Sequence, residues 1–238
     1  MKLLLTLLKI FFLGLLLIFL FLGGSYLYLN KALPAGEKGA AADQLANQML
    51  EAMNYRAYKE LDYIEWTFSS LGRERHYKWS KNRGVCTVSW DSISVKLTTS
   101  RIKESTVKVN GVPYAGSKKN EFIRSAESKF YNDTFWLVAP YKVFDAGVER
   151  RLVRVNNDEN ALLVTYTSRG STPGDSYLWY FDEMHRPKAF EMWVSLLPVG
   201  GLPATWDQWQ TSTNGAYFPE SHKILILNLS IDDLKSRF

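Results

Sequence analysis

The chain has one cysteine, Cys86, and three histidines, His76, His185 and His222, among its 238 residues. A single thiol excludes an internal disulfide framework and leaves no Cys/His cluster with the spacing of a structural zinc site. It also excludes a lipid on an N-terminal cysteine, because Cys86 lies far from the start. Cys86 stands in an alternating apolar stretch, where a buried and inert thiol is the plain reading. There is no HExxH, no Gly-x-Ser-x-Gly elbow and no phosphate loop, since the GSTPG stretch at Gly170–Gly174 lacks the lysine and the spacing. No cofactor and no metal are expected. Clustered positive charge is missing too. Three of the 29 Lys+Arg lie in the first 31 residues, which hold no acid, so the rest carries 26 basic groups against 24 acidic ones. Runs such as Arg73–Arg75 and Glu149–Arg151 mix both signs and read as solvated surface, so no nucleic-acid partner is expected. No unit of roughly 20 to 50 residues recurs, which disfavours solenoids and propellers.

What the chain does have, at its start, is a long apolar run. Residues 10–28 are nineteen positions without Asp, Glu, Lys, Arg or His. As a helix they would span about 28 Å, close to the hydrocarbon thickness of a bilayer. Lys9 is near enough to the beginning to carry its ammonium to the headgroups, and Lys2 adds to the basic flank. These two favour an orientation with the N-terminus inside, against the opposing pull of Lys31 and Lys38. The run is longer than the apolar region of a secretory signal, and Gly23-Gly24-Ser25 is followed by Tyr26 and Tyr28, an aromatic pair suited to a membrane interface. The expected division is residues 1–30 as a transmembrane anchor or signal segment, 31–40 as a short linker, and 41–238 as a single domain.

Beyond the linker the period first suits a helix, with Asp43 as its cap and Leu45, Ala46, Met49, Leu50 and Met53 on one face. After Leu61 it falls to two. Segments 63–68, 73–79, 85–90, 92–97 and 106–112 alternate as half-buried strands, and Asn110-Gly111 is the strongest short hairpin signal in the chain. A helical interruption covers 120–131. Pro140 then predicts extended backbone before it, so that Phe135, Trp136 and Leu137 pack on a sheet and Tyr141 to Phe144 run over its rim. Strands resume at 151–155, 161–166, 176–181, 188–194, 204–210 and 223–229, giving ten or eleven in all.

These strands are loaded with aromatic residues. Trp66, Phe68, Trp79, Trp90, Phe135, Trp136, Tyr177, Trp179 and Trp193 are the candidate lining of an apolar cavity. Large rings on a sheet face can equally fill a core, and the pattern leaves both open.

The order helix, long meander, helical interruption and further meander resembles the bacterial lipoprotein-localisation-factor (LolA/LolB-like) superfamily. Phe135–Asp145 (FWLVAPYKVFD), Gly174–Phe181 (GDSYLWYF) with Arg186-Pro187, and Trp206–Trp209 (WDQW) are similar to envelope proteins of Gram-negative bacteria, those of the Bacteroidetes type above all. The resemblance covers about residues 41 to 231. It implies an α+β fold: a large antiparallel meander curved into a half-barrel, with an N-terminal helix and a mid-chain helix over the concave face. The apolar N-terminal run, the meander and the aromatic load together lead to the expectation of a non-enzymatic envelope protein that binds a lipid, an acyl chain or a lipoprotein, either anchored in the inner membrane facing the periplasm or periplasmic after cleavage. Two other readings remain at this stage: a scaffold for another envelope protein, and a hydrolase using His185 or His222 with nearby acids.

Overall fold

The computed structural model describes residues 2–155, 159–168 and 172–238 and, within the first helix, chiefly the side chains of residues 11–20. Gly170, in the GSTPG connection, lies outside the described residues. Among the described residues there are four α-helices: α1 (Lys2–Leu29), α2 (Ala40–Ala52), α3 (Tyr55–Glu60) and α4 (Lys119–Val138). The first six strands are β1 (Tyr63–Ser70), β2 (Arg73–Ser80), β3 (Val85–Trp90), β4 (Ile93–Thr98), β5 (Thr106–Val109) and β6 (Val112–Pro113). After α4 come β7 (Val148–Arg154), β8 (Asn160–Tyr166), β9 (Ser176–Phe181), β10 (Pro187–Trp193), β11 (Leu202–Thr205), β12 (Gln208–Thr211), β13 (Tyr217–Ile224) and β14 (Leu227–Arg237).

All described pairings are antiparallel, in one open sheet ordered β6-β5-β4-β3-β2-β1-β14-β13-β11-β10-β9-β8-β7, with β12 paired beside β13. The expected half-barrel is therefore what the chain forms. Its first and last strands pair at the centre, from Tyr63 opposite Arg237 to Ser70 opposite Leu229. Two meanders run outward from that seam, one through β6 and the other, in reverse chain order, through β7. This topology explains α4. The helix must join one outer edge of the sheet to the other, and twenty residues of helix span about 30 Å. It does so across the concave face, where its apolar side joins the main core.

Period-two alternation sends one set of side chains to that face. Ile64, Trp66 and Phe68 of β1, Tyr77 of β2, Cys86 and Val88 of β3, and Val95 and Leu97 of β4 are all buried there. Ile123, Ala126 and Phe130 of α4 cover them, at the spacing the sequence predicts. Cys86 is inside this core, and burial raises its thiol above the ordinary cysteine value, as expected of an inert residue.

Several expectations are corrected. The described residues form fourteen strands rather than ten or eleven. Asp43 does not cap α2. Ala40–Ala42 are good helix formers and start the helix one turn earlier, after Gly39 at φ 131°, while the Asp43 carboxylate pairs with Arg150 at 2.6 Å. α4 does not stop near residue 131 but runs to Val138. Pro140 lacks an N–H, yet it is tolerated because it opens a single 3₁₀ turn over Ala139–Lys142. Segment 204–210 divides into β11 and β12. Segment 223–229 divides into β13 and β14 around the turn Leu225–Ile226.

The segment after α1 is no free spacer. The Lys31 carbonyl accepts a bond from Trp193 Nε1 at 2.7 Å, the Lys31 amide donates to Gly200 O at 2.9 Å, and the Lys31 ammonium pairs with Glu191. Glu37 then bridges to Leu152 at the β7 edge through bonds of 2.9 and 2.8 Å. The strap crosses the convex side, where Val153, Ala161, Leu163 and Leu178 form a second small cluster. Gly36 lies so close that a Cβ there would stand 2.9 Å from Val153 Cγ2. Among the residues whose side chains are described, no helix is long and apolar enough to cross a membrane. The anchor reading of α1 rests on its sequence.

Candidate functional site

The C-terminal half of α4 stands over the β8–β11 part of the sheet without filling the space beneath it. A cavity of about 730 Å³ remains. Phe135, Trp136 and Val138 of the helix, with Ala139 of the 3₁₀ turn that follows it, form one wall, Tyr166, Tyr177 and Met192 of the sheet form another, and Trp79 and Phe130 close the end toward β2. The mouth lies between the β10–β11 connection, with Leu196 and Leu197, and the tip of the β13–β14 hairpin, with Leu225, Ile226 and Leu227.

Four of the candidate residues, Trp79, Phe135, Trp136 and Tyr177, line this space. Trp66, Phe68 and Trp179 are each about 1% exposed and lie in the core behind it. Trp90 is half-buried at the far end of β3, with the Lys129 ammonium 4.8 Å from its ring centre. Trp193 points to the convex side, out of phase with Phe190 and Met192 on the same strand, and packs on the second cluster. Pattern alone missed the aliphatic mouth, because Leu225–Ile226 reads as strand interior. It also missed Met192, and Tyr166, a strand aromatic of the same pattern, joins the lining as well. Tyr141 and Val143, expected on a rim, are buried: Tyr141 stacks on Tyr58 at 3.9 Å, and its hydroxyl lies 2.8 Å from the Met53 carbonyl.

Three devices hold α4 in place above the sheet. At its middle, Asp133 receives the Tyr77 hydroxyl and pairs with Arg75 at 2.6 Å, fully out of water. Burial raises the Asp133 carboxyl above its ordinary value, while Tyr77 and Arg75 pull it back down. Near its end, Pro140 has no N–H to give the Trp136 carbonyl four residues back. His222 Nε2 supplies the bond instead, at 2.8 Å. The other ring nitrogen, Nδ1, faces Thr205 O at 3.0 Å, so a neutral imidazole can serve only one of the two carbonyls. Burial nonetheless keeps the ring neutral, with its pKa down at about 4. The third device is aromatic: Trp206 lies 4.2 Å from the His222 ring, 5.0 Å from Trp179 and 6.1 Å from Trp136, tying helix to sheet.

Polar groups in the cavity wall are few. Thr134 Oγ1 is buried and without a hydrogen-bond partner. The Asp175 carboxylate is occupied, accepting the Ser195 amide at 2.8 Å. Burial pushes the Tyr166 and Tyr177 phenols well above the usual tyrosine range, so they remain protonated donors at neutral pH. His222 is spent on backbone carbonyls with no nucleophile against it, and His185 sits in the Asp182–Arg186 turn at φ 62°. Among the described residues no group of three or more His, Cys, Asp or Glu could hold a metal ion. The arrangement can bind an apolar body and orient it through one or two hydroxyls.

No family model matches this sequence, and no curated protein sequence matches it. Two solved structures are similar in chain course. One is a DUF1329 family protein from Desulfovibrio piger, at TM-score 0.42 and 8% identity over 82% of this chain and 92% of that one. The other is a putative outer membrane lipoprotein-sorting protein domain from Vibrio parahaemolyticus, at TM-score 0.40 and 10% identity over 81% of this chain and 93% of that one. At these values the likeness is one of chain course alone.

Proposed function

We propose that this chain is a bacterial envelope protein, held to the membrane by α1, that binds an acyl chain, as a lipid or as the lipid part of a lipoprotein, between α4 and the concave sheet. One observation carries the reading: a 730 Å³ cavity walled by aromatic and aliphatic side chains and opening through a leucine-rich mouth. That volume lies within the roughly 300–1,000 Å³ of small-molecule sites. The wall is mostly apolar, with Asn132, Thr134, Lys142, Thr172, Asp175 and tyrosine hydroxyls as its polar groups, and it suits a polar metabolite poorly because each unpaired polar group carried into such a space costs free energy. An acyl chain asks for no polar partner along its length. The apolar run of α1 and the resemblance to lipoprotein-localisation proteins support the same compartment, and the role needs no catalytic group.

The test is lipid analysis of the full-length protein, extracted in a detergent free of acyl chains. Acyl lipid should co-purify in a fixed ratio to protein, and filling the cavity by Ala139→Trp should remove it. Protein that carries no acyl lipid, and does not bind added cis-parinaric acid, would refute the reading.

A further inference from the structure

The mouth of the cavity is built against the usual logic of turns. Ile224 pairs with Leu227 across a two-residue loop, and the loop residues are Leu225, at φ 51°, and Ile226. Such a loop calls for Gly, Asn or Asp, as Asn110-Gly111 supplies in the β5–β6 hairpin. Here a leucine takes the left-handed backbone, and its neighbour Ile226 is 91% exposed. Leu196, in the adjoining β10–β11 connection, is 82% exposed. Register places further features at the same end of the sheet. Ser70 lies opposite Leu229, so the β1–β2 turn, with exposed Leu71 at φ 52°, stands beside the β13–β14 tip. Apolar residues put where both solvation and backbone geometry oppose them call for a partner.

The same end receives the membrane helix. The Gly200 amide donates to Asn30 Oδ1 at 2.8 Å, and Lys31 N donates to Gly200 O. Gly200 belongs to the connection that carries Leu196. The point where α1 ends is thus hydrogen-bonded to the rim of the cavity, which leaves no length of linker between them.

We propose that this rim, led by Leu196, Leu225 and Ile226, rests in the headgroup and acyl boundary of the bilayer that α1 enters, so that the cavity opens directly onto lipid. The exposed Lys223, one residue before Ile224, suits anionic headgroups. The inference rests on the acyl-chain reading above and adds where the chain enters.

The experiment uses the full chain in vesicles of phosphatidylethanolamine and phosphatidylglycerol, with a nitroxide at Leu196→Cys, at Ile226→Cys or, as a control at the opposite end of the sheet, at Arg83→Cys. Cys86 is buried and does not compete for label. The first two labels should collide with oxygen in preference to a water-soluble nickel complex, and the third should show the reverse. Equal water accessibility at all three overturns the proposal, whether the rim is then free or covered by another protein. A second arm compares delivery of cis-parinaric acid. Leu196→Asp with Ile226→Asp should slow uptake from vesicles by about tenfold, the loss expected when apolar side chains no longer enter lipid. Uptake is scaled to each protein's own binding of probe added from solution, so that a loss of affinity at the mouth is separated from a loss of delivery, and a scaled uptake equal to wild type overturns the proposal. Immersed labels in a protein that binds no probe from solution would sink the acyl-chain reading and leave the docked rim standing, so the two failures are distinct.

Discussion

The two halves of the sheet are written in the same alternating, aromatic-rich language and are filled differently. Under the N-terminal half of α4, the β1–β5 face is dense: Trp66 lies 4.6 Å from Tyr77, and Val88, Val95 and Leu97 are fully buried beside them. Under its C-terminal half, Tyr177 and Met192 border a cavity and the aliphatic residues around the mouth meet solvent. The difference lies in the cover. Ile123, Ala126 and Phe130 project into the first half at helical spacing, whereas in the second Phe135 and Trp136 reach the sheet at Tyr177 and Phe190, and the smaller Thr134, Val138 and Ala139 leave space beside them. A packed core and an open cavity can thus share one strand pattern, and the helix decides which is which.

The widest separation should come from truncating one residue in each half. Trp66→Ala should cost about 3–5 kcal/mol in urea unfolding, as large-to-small changes in a packed core do. Leu197→Ala, at the mouth, should stay within about 0.5 kcal/mol. Comparable losses at the two sites would mean that the second half is packed as well, and the contrast would be gone. Next in size is Asp133→Ala, which leaves Arg75 without its partner and should cost about 3 kcal/mol. Because Asp133 pins the middle of α4, the same change should loosen hydrogen-exchange protection along that helix more than along β7–β9.

How much of this could be read from residues alone follows from what each signal encodes. Alternation marks which side chains share a face, so the strands and the Asn110-Gly111 hairpin, with φ of 51° and 78°, were legible. It does not say which face is concave, and Trp193 fell on the wrong one for that reason. Turn chemistry failed at Leu225–Ile226, where nothing in the residues signals a reversal. Pro140 signals less than an end to the helix: its ring removes only the N–H donor, and the Trp136 carbonyl left without it is met by His222, a partner eighty-six residues away in the chain. The strap from Lys31 to Glu37 looked like a spacer because its residues are small, and small residues are what lie closely on Val153.

That histidine gives the third and more moderate effect, a pH dependence confined to the cavity half. His222 titrates near 6.5 when unfolded and at about 4 when folded, since burial opposes its charge. Its folded pKa is depressed, so the neutral ring's full contribution holds above pH 6.5. Stability is lost as pH falls from there toward 4, by up to about 3 kcal/mol. His222→Gln keeps a donor for the Trp136 carbonyl and removes the titration. Unfolding free energies of wild type and variant, measured from pH 7 to 4, should therefore converge as the pH falls. Parallel curves would mean that folding leaves the histidine's pKa unshifted, and a widening gap would mean that the ring is charged when folded and held by both carbonyls.

The smallest effect is the most discriminating, because its sign separates a structural role from a ligand-binding one. Thr134 Oγ1 is buried in the cavity wall with no partner, an arrangement that folding alone disfavours by about 1–3 kcal/mol. Thr134→Val replaces the hydroxyl with a methyl of nearly the same shape. If the cavity has no occupant, the exchange should simply stabilise the protein, by about 1 kcal/mol, and alter nothing else. If the hydroxyl meets the polar end of a bound acyl lipid, the stabilised variant should also hold cis-parinaric acid several-fold more weakly, since a carboxylate that loses a hydrogen bond in a dry site forfeits about 1 kcal/mol or more. Higher stability with weaker binding is a pairing that a packed core cannot produce. Stability and binding that fall together would mean that Thr134 supports the helix and that the polar end of the ligand lies elsewhere, against Tyr166 or Tyr177.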